Sequence, residues 1–229
     1  MLIAGLQKLT LLDYPGKTAC TVFLHGCNFR CPFCHNALLV TQKPEALISE
    51  EEFFSFLGKR RGILDGVCIT GGEPTLQKEL IPFIKRIKAM GFLIKLDTNG
   101  YRPDVLKEII SEGIADYVAM DIKASPEKYS QATGLADCDF SLIQKSIELI
   151  EKSGVPHEFR TTVTRELHSE EDFPKILSLF SNDTPYFIQQ FKDSGSLIDS
   201  ECNGWSTEEM KKLQQRLLTS YKNVSLREG

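Results

Sequence analysis

The sequence predicts an α/β protein built as an open, partial (β/α)6 barrel. Short apolar runs rich in β-branched residues alternate with segments of helical periodicity along most of the 229 residues. The connections are short, and such alternation indicates a parallel sheet covered by helices. The six strand–helix units are fewer than the eight of a closed barrel. A doubly wound open sheet is the second architecture that fits.

The predicted strands are short apolar runs bounded by turn-forming residues. They are Ala19–Leu24, Gly66–Thr70, Leu93–Asp97, Tyr117–Asp121, Glu158–Thr162 and Tyr186–Phe191. No repeat or linker rich in Pro, Gly or Ser divides the chain. We therefore expect one domain over residues 1–229, with a core over about 17–195 and a C-terminal helix over about 206–219.

Capping residues mark the predicted helices. Ser49 and Glu52 form a capping box that opens a helix through Leu57, and Ser206 with Glu209 caps the last helix, through Leu218. The other predicted helices are Gln77–Met90, Pro103–Ser111, Phe140–Ser153 and a segment opened by Ser169 and Asp172.

Composition and charge exclude some classes of protein. A net charge of −4 and a pI near 5.7 argue against nucleic-acid binding. No apolar stretch reaches the ~20 residues of a membrane span, and the first residues do not resemble a signal peptide. These features predict a cytoplasmic protein without a membrane or nucleic-acid partner.

Three of the seven cysteines crowd into one loop, where Cys27, Cys31 and Cys34 form the pattern C-x3-C-x2-C. Thiolates at this spacing can converge on a soft metal centre. Three cysteines would bind three irons of a [4Fe–4S] cluster and leave the fourth iron open, which favours reactivity over pure electron transfer. Structural zinc with His25 or His35 as the fourth ligand is the alternative.

The remaining cysteines and two histidines have simpler interpretations. Cys20 and Cys68 lie in apolar strands and are predicted to be buried. The other side chains have polar surroundings, which predicts free thiols or surface positions; they are Cys138, Cys202, His157 and His168.

Polar and glycine-rich segments follow successive predicted strands. Gly71-Gly72-Glu73, Asp97-Thr98-Asn99-Gly100 and Asp121-Ile122-Lys123 each end a strand, and the cysteine loop follows the first one. In parallel α/β proteins the carboxyl ends of the strands share one edge, where binding sites form. Glycine backbone can also approach a ligand closely. These segments are therefore expected to form one site.

Two motifs resemble those of the radical S-adenosylmethionine superfamily. The cysteine pattern carries an aromatic residue, Phe33, before its last cysteine, and Gly71-Gly72-Glu73-Pro74 resembles the second motif. The resemblance implies a partial barrel and a catalytic [4Fe–4S] cluster held by the three cysteines. It also implies that S-adenosyl-L-methionine binds at the open iron, with its ammonium end near Gly71, Gly72 and Glu73 and its adenine near Phe33.

Further segments are similar to glycyl radical enzyme activating proteins, most of all to those of anaerobic ribonucleoside-triphosphate reductase, with pyruvate formate-lyase activases as relatives. They are Leu12-Asp13-Tyr14-Pro15-Gly16-Lys17, Cys34-His35-Asn36, the Asp97 and Asp121 segments, and Arg160 in Phe159-Arg160-Thr161-Thr162. The resemblance implies that the protein makes a glycyl radical on such a partner after reduction by a flavodoxin- or ferredoxin-like donor. The implied cofactor contacts are Asp97, Thr98, Asn99, Asp121, Lys123 and Arg160, and Asp13 is implied to contact the partner.

The expected site concentrates negative charge. If Asp97, Asp121 and the carboxylate of the cofactor converge in a partly dry cavity, they require compensation. Lys123 and Arg160 could provide it, or a bound monovalent cation.

Two other functions are open at this point. One is a radical enzyme acting on a small molecule, such as a 7-carboxy-7-deazaguanine synthase. The other is a zinc-binding module without catalysis.

Between Cys34 and Gly71 the only cysteine is Cys68, so the sequence has no insert with further clusters.

Overall fold

The computed structural model describes residues 1–42, 47–193, 195–199 and 201–227. In these residues eight strands form one sheet, and their order in the sheet follows the chain. The strands are β1 (Ile3–Thr10), β2 (Ala19–Leu24), β3 (Gly66–Gly71), β4 (Leu93–Thr98), β5 (Tyr117–Asp121), β6 (His157–Val163), β7 (Tyr186–Gln190) and β8 (Val224–Arg227).

The six predicted strands are confirmed as β2 to β7, all paired in parallel. Two edge strands extend this α/β sheet beyond the predicted core: β1 pairs antiparallel with β2, and β8 pairs parallel with β7. The sequence analysis missed both. β1 has a run of intermediate and exposed side chains instead of an alternating pattern, and β8 has only four residues.

The helices lie between the strands, and the capping boxes at Ser49 and Ser206 are both present. The helix predicted from Gln77 begins later, because residues Pro74–Leu76 form a 3-10 turn and the Gln77 side chain donates to the carbonyl of His25 at 2.8 Å. Two short helices, Ala37–Thr41 and Tyr129–Thr133, have no side-chain cap and were not predicted. The helices are α1 (Ala37–Thr41), α2 (Glu50–Gly58), α3 (Leu80–Ala89), α4 (Pro103–Ser111), α5 (Tyr129–Thr133), α6 (Phe140–Lys152), α7 (Asp172–Leu177) and α8 (Thr207–Leu217).

Consecutive residues of the central strands are buried, as expected for a sheet covered on both faces. In β3, Val67, Cys68 and Ile69 are all inaccessible to solvent, which confirms the prediction for Cys68. Cys20 is buried likewise, and Cys202 is free but also buried. Among the described residues, no helix combines the length and apolar composition needed to cross a membrane.

The surface position predicted for His168 is wrong. Its side chain is buried, its Nδ1 accepts a hydrogen bond from the backbone N–H of Thr164, and its Nε2 lies 3.0 Å from the carbonyl oxygen of Lys123. Burial lowers the pKa of His168, which favours the neutral ring. The histidine therefore joins the segments that follow β5 and β6, a tertiary contact that its polar sequence neighbours do not indicate.

Candidate active site

A cavity of about 490 Å³ lies at the carboxyl ends of the parallel strands. With one exception, Glu73, every predicted site residue lines it. The residues brought together are Asp13, Cys27, Cys31, Phe33, Cys34, Gly71, Gly72, Asp97, Thr98, Asn99, Asp121, Lys123 and Arg160. The predicted convergence of strand ends on one site is thus what the structure shows.

The cysteine loop is held against the strand ends by hydrogen bonds. The Asn36 amide donates to the carbonyl of Gly71 at 3.0 Å, and the Asn99 amide donates to Asn28 Oδ1 at 2.9 Å. At the other end, the backbone N–H of Arg30 donates to the carbonyl of Thr133 at 2.7 Å. These contacts fix the loop independently of any bound group.

The three thiols form a donor set suited to an iron–sulfur cluster. In the described part of the chain, no three His, Cys, Asp or Glu side chains are grouped so as to hold a metal ion. A cluster differs from one ion, because each thiolate binds a different iron. Burial raises the pKa of Cys27 to about 11 and that of Cys31 to about 12, so iron must displace their protons.

Gly71 and Gly72 bring the end of β3 directly against the segment that precedes Cys27. Gly71 has a φ of +115°, and a Cβ on Gly72 would lie 2.0 Å from the carbonyl oxygen of Gly26. That same oxygen accepts a hydrogen bond from the backbone N–H of Glu73 at 2.8 Å. The glycines are thus required by the packing of the protein itself.

Glu73 is buried in the protein and does not line the cavity. Its carboxylate is 1% exposed and accepts hydrogen bonds from the backbone N–H of Thr75 at 3.1 Å, from Thr98 Oγ1 at 2.8 Å and from the backbone N–H of Asn99 at 2.6 Å. Burial raises its pKa in spite of these bonds. Its visible role is to join the ends of β3 and β4.

Two carboxylates and three cations form one network across the cavity floor. Arg160 donates to Asp121 at 2.8 Å and to Asp97 at 3.3 Å, and Lys123 contacts Asp121 at 3.0 Å. Lys95 pairs with the other side of Asp97. Burial acts to raise the pKa of each aspartate, but Arg160 and the nearer lysine outweigh it and lower both values.

A second set of ion pairs supports the far wall and was not predicted; it is joined to the first because Glu158 lies 3.9 Å from Arg160. Glu158 is inaccessible to solvent and accepts two hydrogen bonds from Arg227, at 2.7 and 2.8 Å, and one from the Tyr117 hydroxyl at 2.9 Å. The Arg227 guanidinium also stacks on the ring of Phe187, at 3.8 Å from its centroid. Arg227 thereby lines the cavity from the last strand.

His25 and His35 were the candidates for the fourth ligand of the alternative zinc site. Only one of them lies on the cavity wall. His25 is not on the cavity wall, and its Nε2 lies 2.7 Å from the carbonyl oxygen of Gln42. His35 lines the cavity and stacks on Phe191, with 5.3 Å between the ring centroids. Burial lowers the pKa of His35, which favours the neutral ring.

Replacing Arg160 by methionine should destabilise the protein by about 3 kcal/mol, because two partly buried carboxylates lose their shared partner. Urea unfolding of the cluster-free protein measures this. Arg165→Met is the matched control, since Arg165 pairs with Glu209 at the surface and should contribute less than about 1 kcal/mol. Equal losses in the two variants would contradict the importance of the network.

Together, fold and cavity define an α/β protein with three thiols grouped at the carboxyl ends of its parallel strands. The family model of the radical SAM superfamily matches residues 21–180. The chain belongs to the radical SAM superfamily. The cofactors of this family are a [4Fe–4S] cluster and S-adenosylmethionine, which fit the three loop thiols and the adjoining cavity.

Sequence comparison finds relatives that match most of this chain. The chain is 37% identical over 197 residues to a candidate glycyl-radical enzyme activating enzyme of Methanocaldococcus jannaschii, covering 83% of this chain and 80% of the relative. It is 30% identical to the pyruvate formate-lyase-activating enzyme of Clostridium pasteurianum, covering 79% and 76%. It is 28% identical to the 7-carboxy-7-deazaguanine synthase of Koribacter versatilis, covering 72% and 70%.

Solved structures share the fold. SuiB of Streptococcus suis, solved with bound S-adenosylmethionine, matches with a TM-score of 0.68 at 12% identity, covering 88% of this chain. The match covers 48% of the length of SuiB, so this chain spans about half of that protein. This likeness confirms the predicted fold class.

Proposed function

We propose that the protein is an activase that generates a glycyl radical on a partner enzyme, and that this partner is anaerobic ribonucleoside-triphosphate reductase. The observation that carries the proposal is the 37% identity to a glycyl-radical enzyme activating relative over most of both chains. The cavity supports it, because the loop thiols and Asp13 of the N-terminal loop line the same space.

The chain's residues divide into three roles in this proposal. Cys27, Cys31 and Cys34 hold the cluster which, when bound, supplies the electron that cleaves S-adenosylmethionine to methionine and a 5′-deoxyadenosyl radical. Glu73 positions the ends of β3 and β4. The walls that orient the cofactor and exclude water are Phe33, Gly71, Gly72, Asp97, Thr98, Asn99, Asp121, Lys123 and Arg160.

Asp13 and Leu12 form the part of the wall that faces the substrate. The loop between β1 and β2 places both on the cavity, where the Asp13 carboxylate accepts a hydrogen bond from the Thr21 hydroxyl and Leu12 is 89% exposed. A carboxylate held in this way accepts backbone N–H groups of an extended peptide. The proposal therefore has the glycine segment of the partner enter past this loop. The electron donor is a flavodoxin- or ferredoxin-like protein, and the setting is the cytoplasm.

The decisive experiment is anaerobic activation of the purified reductase. The protein is reconstituted with iron and sulfide, reduced, and mixed with S-adenosylmethionine and the reductase, and the glycyl radical is counted by electron paramagnetic resonance. We expect the radical to appear on the reductase with release of 5′-deoxyadenosine. If no radical forms, while a small molecule is turned over repeatedly without a protein partner, the function is instead of the kind named for the Koribacter relative.

Asp13→Asn should reduce glycyl radical formation at least ~10-fold, since loss of one partner of a charged hydrogen bond costs more than 1 kcal/mol. Slow cleavage of S-adenosylmethionine without the reductase should stay unchanged. Comparing the two rates in one preparation is the measurement, and Asp193→Asn, which is exposed, is the control. An equal loss of both rates would place Asp13 with the cofactor instead of the partner.

A further inference from the structure

Lys95 is the one cation of the cavity floor that no motif accounts for. It lies in the middle of β4 between Ile94 and Leu96, and its side chain is 2% exposed. Burying an ammonium group in a sheet is unfavourable unless a carboxylate compensates it. An apolar residue would therefore suit the packing of β4 better, so the charge itself requires an explanation.

The ammonium group of Lys95 pairs with the carboxylate of Asp97. Residues two apart in a strand share a face, so Lys95 and Asp97 both point into the cavity, which both of them line. The Lys95 ammonium pairs with Asp97 Oδ1 and lies 3.8 Å from Cys68 Sγ on the neighbouring strand. Asp97 Oδ2 faces Arg160 at 3.3 Å, so the carboxylate is held from both sides.

The charge balance changes when Lys95 is included. Without it, Arg160 and Lys123 face Asp97 and Asp121, and Arg227 pairs with Glu158, which also lies 3.9 Å from Arg160. Three cations then face three carboxylates, which leaves no surplus positive charge for the carboxylate of the cofactor. With Lys95 included, the ion-pair network holds four cations and three carboxylates. Without Lys95, the site would have to recruit a dissolved cation to accept the carboxylate of the cofactor.

We propose that Lys95 is a built-in cation: its ammonium group neutralises Asp97, so that the protein binds S-adenosylmethionine without a dissolved monovalent cation. Lys95 is thus a positioning residue that acts through Asp97 and leaves Arg160 and Lys123 available to Asp121 and the cofactor carboxylate. The inference depends on the cofactor alone and holds for any substrate of the cavity, so its failure is separate from a failure of the activase proposal.

The first test needs no variant. The dissociation constant of S-adenosylmethionine for the cluster-loaded protein is measured by equilibrium dialysis in potassium, sodium and tetramethylammonium chloride at one ionic strength. We expect values within about twofold of one another, because no dissolved cation takes part. A large gain in affinity in potassium or sodium would overturn the proposal.

The second test replaces the charge. Lys95→Met should bind S-adenosylmethionine at least ~10-fold more weakly in tetramethylammonium, because a carboxylate loses its buried partner. Potassium or ammonium ions should restore most of the affinity. Potassium should also raise the unfolding temperature of this variant without its cluster, but not that of the wild type. Lys85→Met, which removes a half-exposed lysine paired with Glu112, is the matched control and should behave as wild type.

Restoration of affinity by potassium or ammonium ions shows whether Lys95 acts through its charge or only through packing. Equal weakening of Lys95→Met in every salt, or unchanged binding, would overturn the proposal. If Lys95→Met does not fold, the salt series on the wild type still decides: independence of the cation supports the built-in charge, and dependence on it refutes it.

Discussion

Replacing any one of Cys27, Cys31 and Cys34 by alanine is expected to abolish both the [4Fe–4S] cluster and the cleavage of S-adenosylmethionine. In the proposed assignment each thiolate would bind a separate iron, so no remaining ligand would substitute for the lost one. In the described part of the chain, the other cysteines do not line the cavity. Cleavage should fall to the background of the cluster-free protein.

Iron and sulfide analysis, the visible spectrum and 5′-deoxyadenosine formation measure this effect in the same samples. Cys138→Ala is the matched control, because Cys138 is a half-buried free thiol outside the cavity wall. It should retain the cluster and its activity. A complete, catalytically active cluster in any of the three loop variants would refute the ligand assignment. A colourless wild-type protein containing zinc would refute the iron–sulfur cluster itself.

Gly72→Ala is expected to destabilise the protein by about 3 kcal/mol or more and to impair cluster assembly. The new Cβ would lie 2.0 Å from the carbonyl oxygen and 2.6 Å from the carbonyl carbon of Gly26. These are backbone atoms, so relief requires a shift of the segment that leads into Cys27. The change should therefore lower the iron content as well as the free energy of unfolding.

Urea unfolding of the cluster-free variants measures the first effect, and iron content after reconstitution measures the second. Gly58→Ala is the control, since its Cβ would meet only Met90 Cε, at 4.0 Å. Its free energy of unfolding should change by less than about 0.5 kcal/mol or rise slightly. If Gly72→Ala were as stable as Gly58→Ala, the close approach of β3 to the cysteine loop would not be required for the fold.

The sequence was sufficient for the parts of the site that follow from strand direction. Because the carboxyl ends of parallel strands share an edge, the order of strands and helices alone places Asp97, Asp121 and the cysteine loop together. The burial of Glu73 could not be predicted, since its carboxylate caps the 3-10 turn that follows it and accepts hydrogen bonds from Thr98 and Asn99. Motif matching does not report such a local change in backbone.

Lys95 and Arg227 were missed for different reasons. Lys95 lies inside the predicted strand Leu93–Asp97 and was not singled out, although its two-residue spacing from Asp97 was a usable signal. Arg227 belongs to a four-residue strand with no turn signal of its own. Its pairing with Glu158 joins residues 69 positions apart in sequence, and no local pattern indicates this.

Because the strands lie in the sheet in chain order, different parts of the cavity wall come from different segments of the chain. In the described residues, strands pair with their neighbours in sequence, so the cysteine loop and β3 to β5 are complete before the chain reaches β7. Gln189, Gln190 and Arg227, on β7 and β8, complete the opposite wall and lie beyond the region that the family model matches. Exchange of this last segment would replace one wall, provided that the new segment also supplies a partner for the buried Glu158. Evolution can thus redirect one radical chemistry to new substrates by altering the end of the chain.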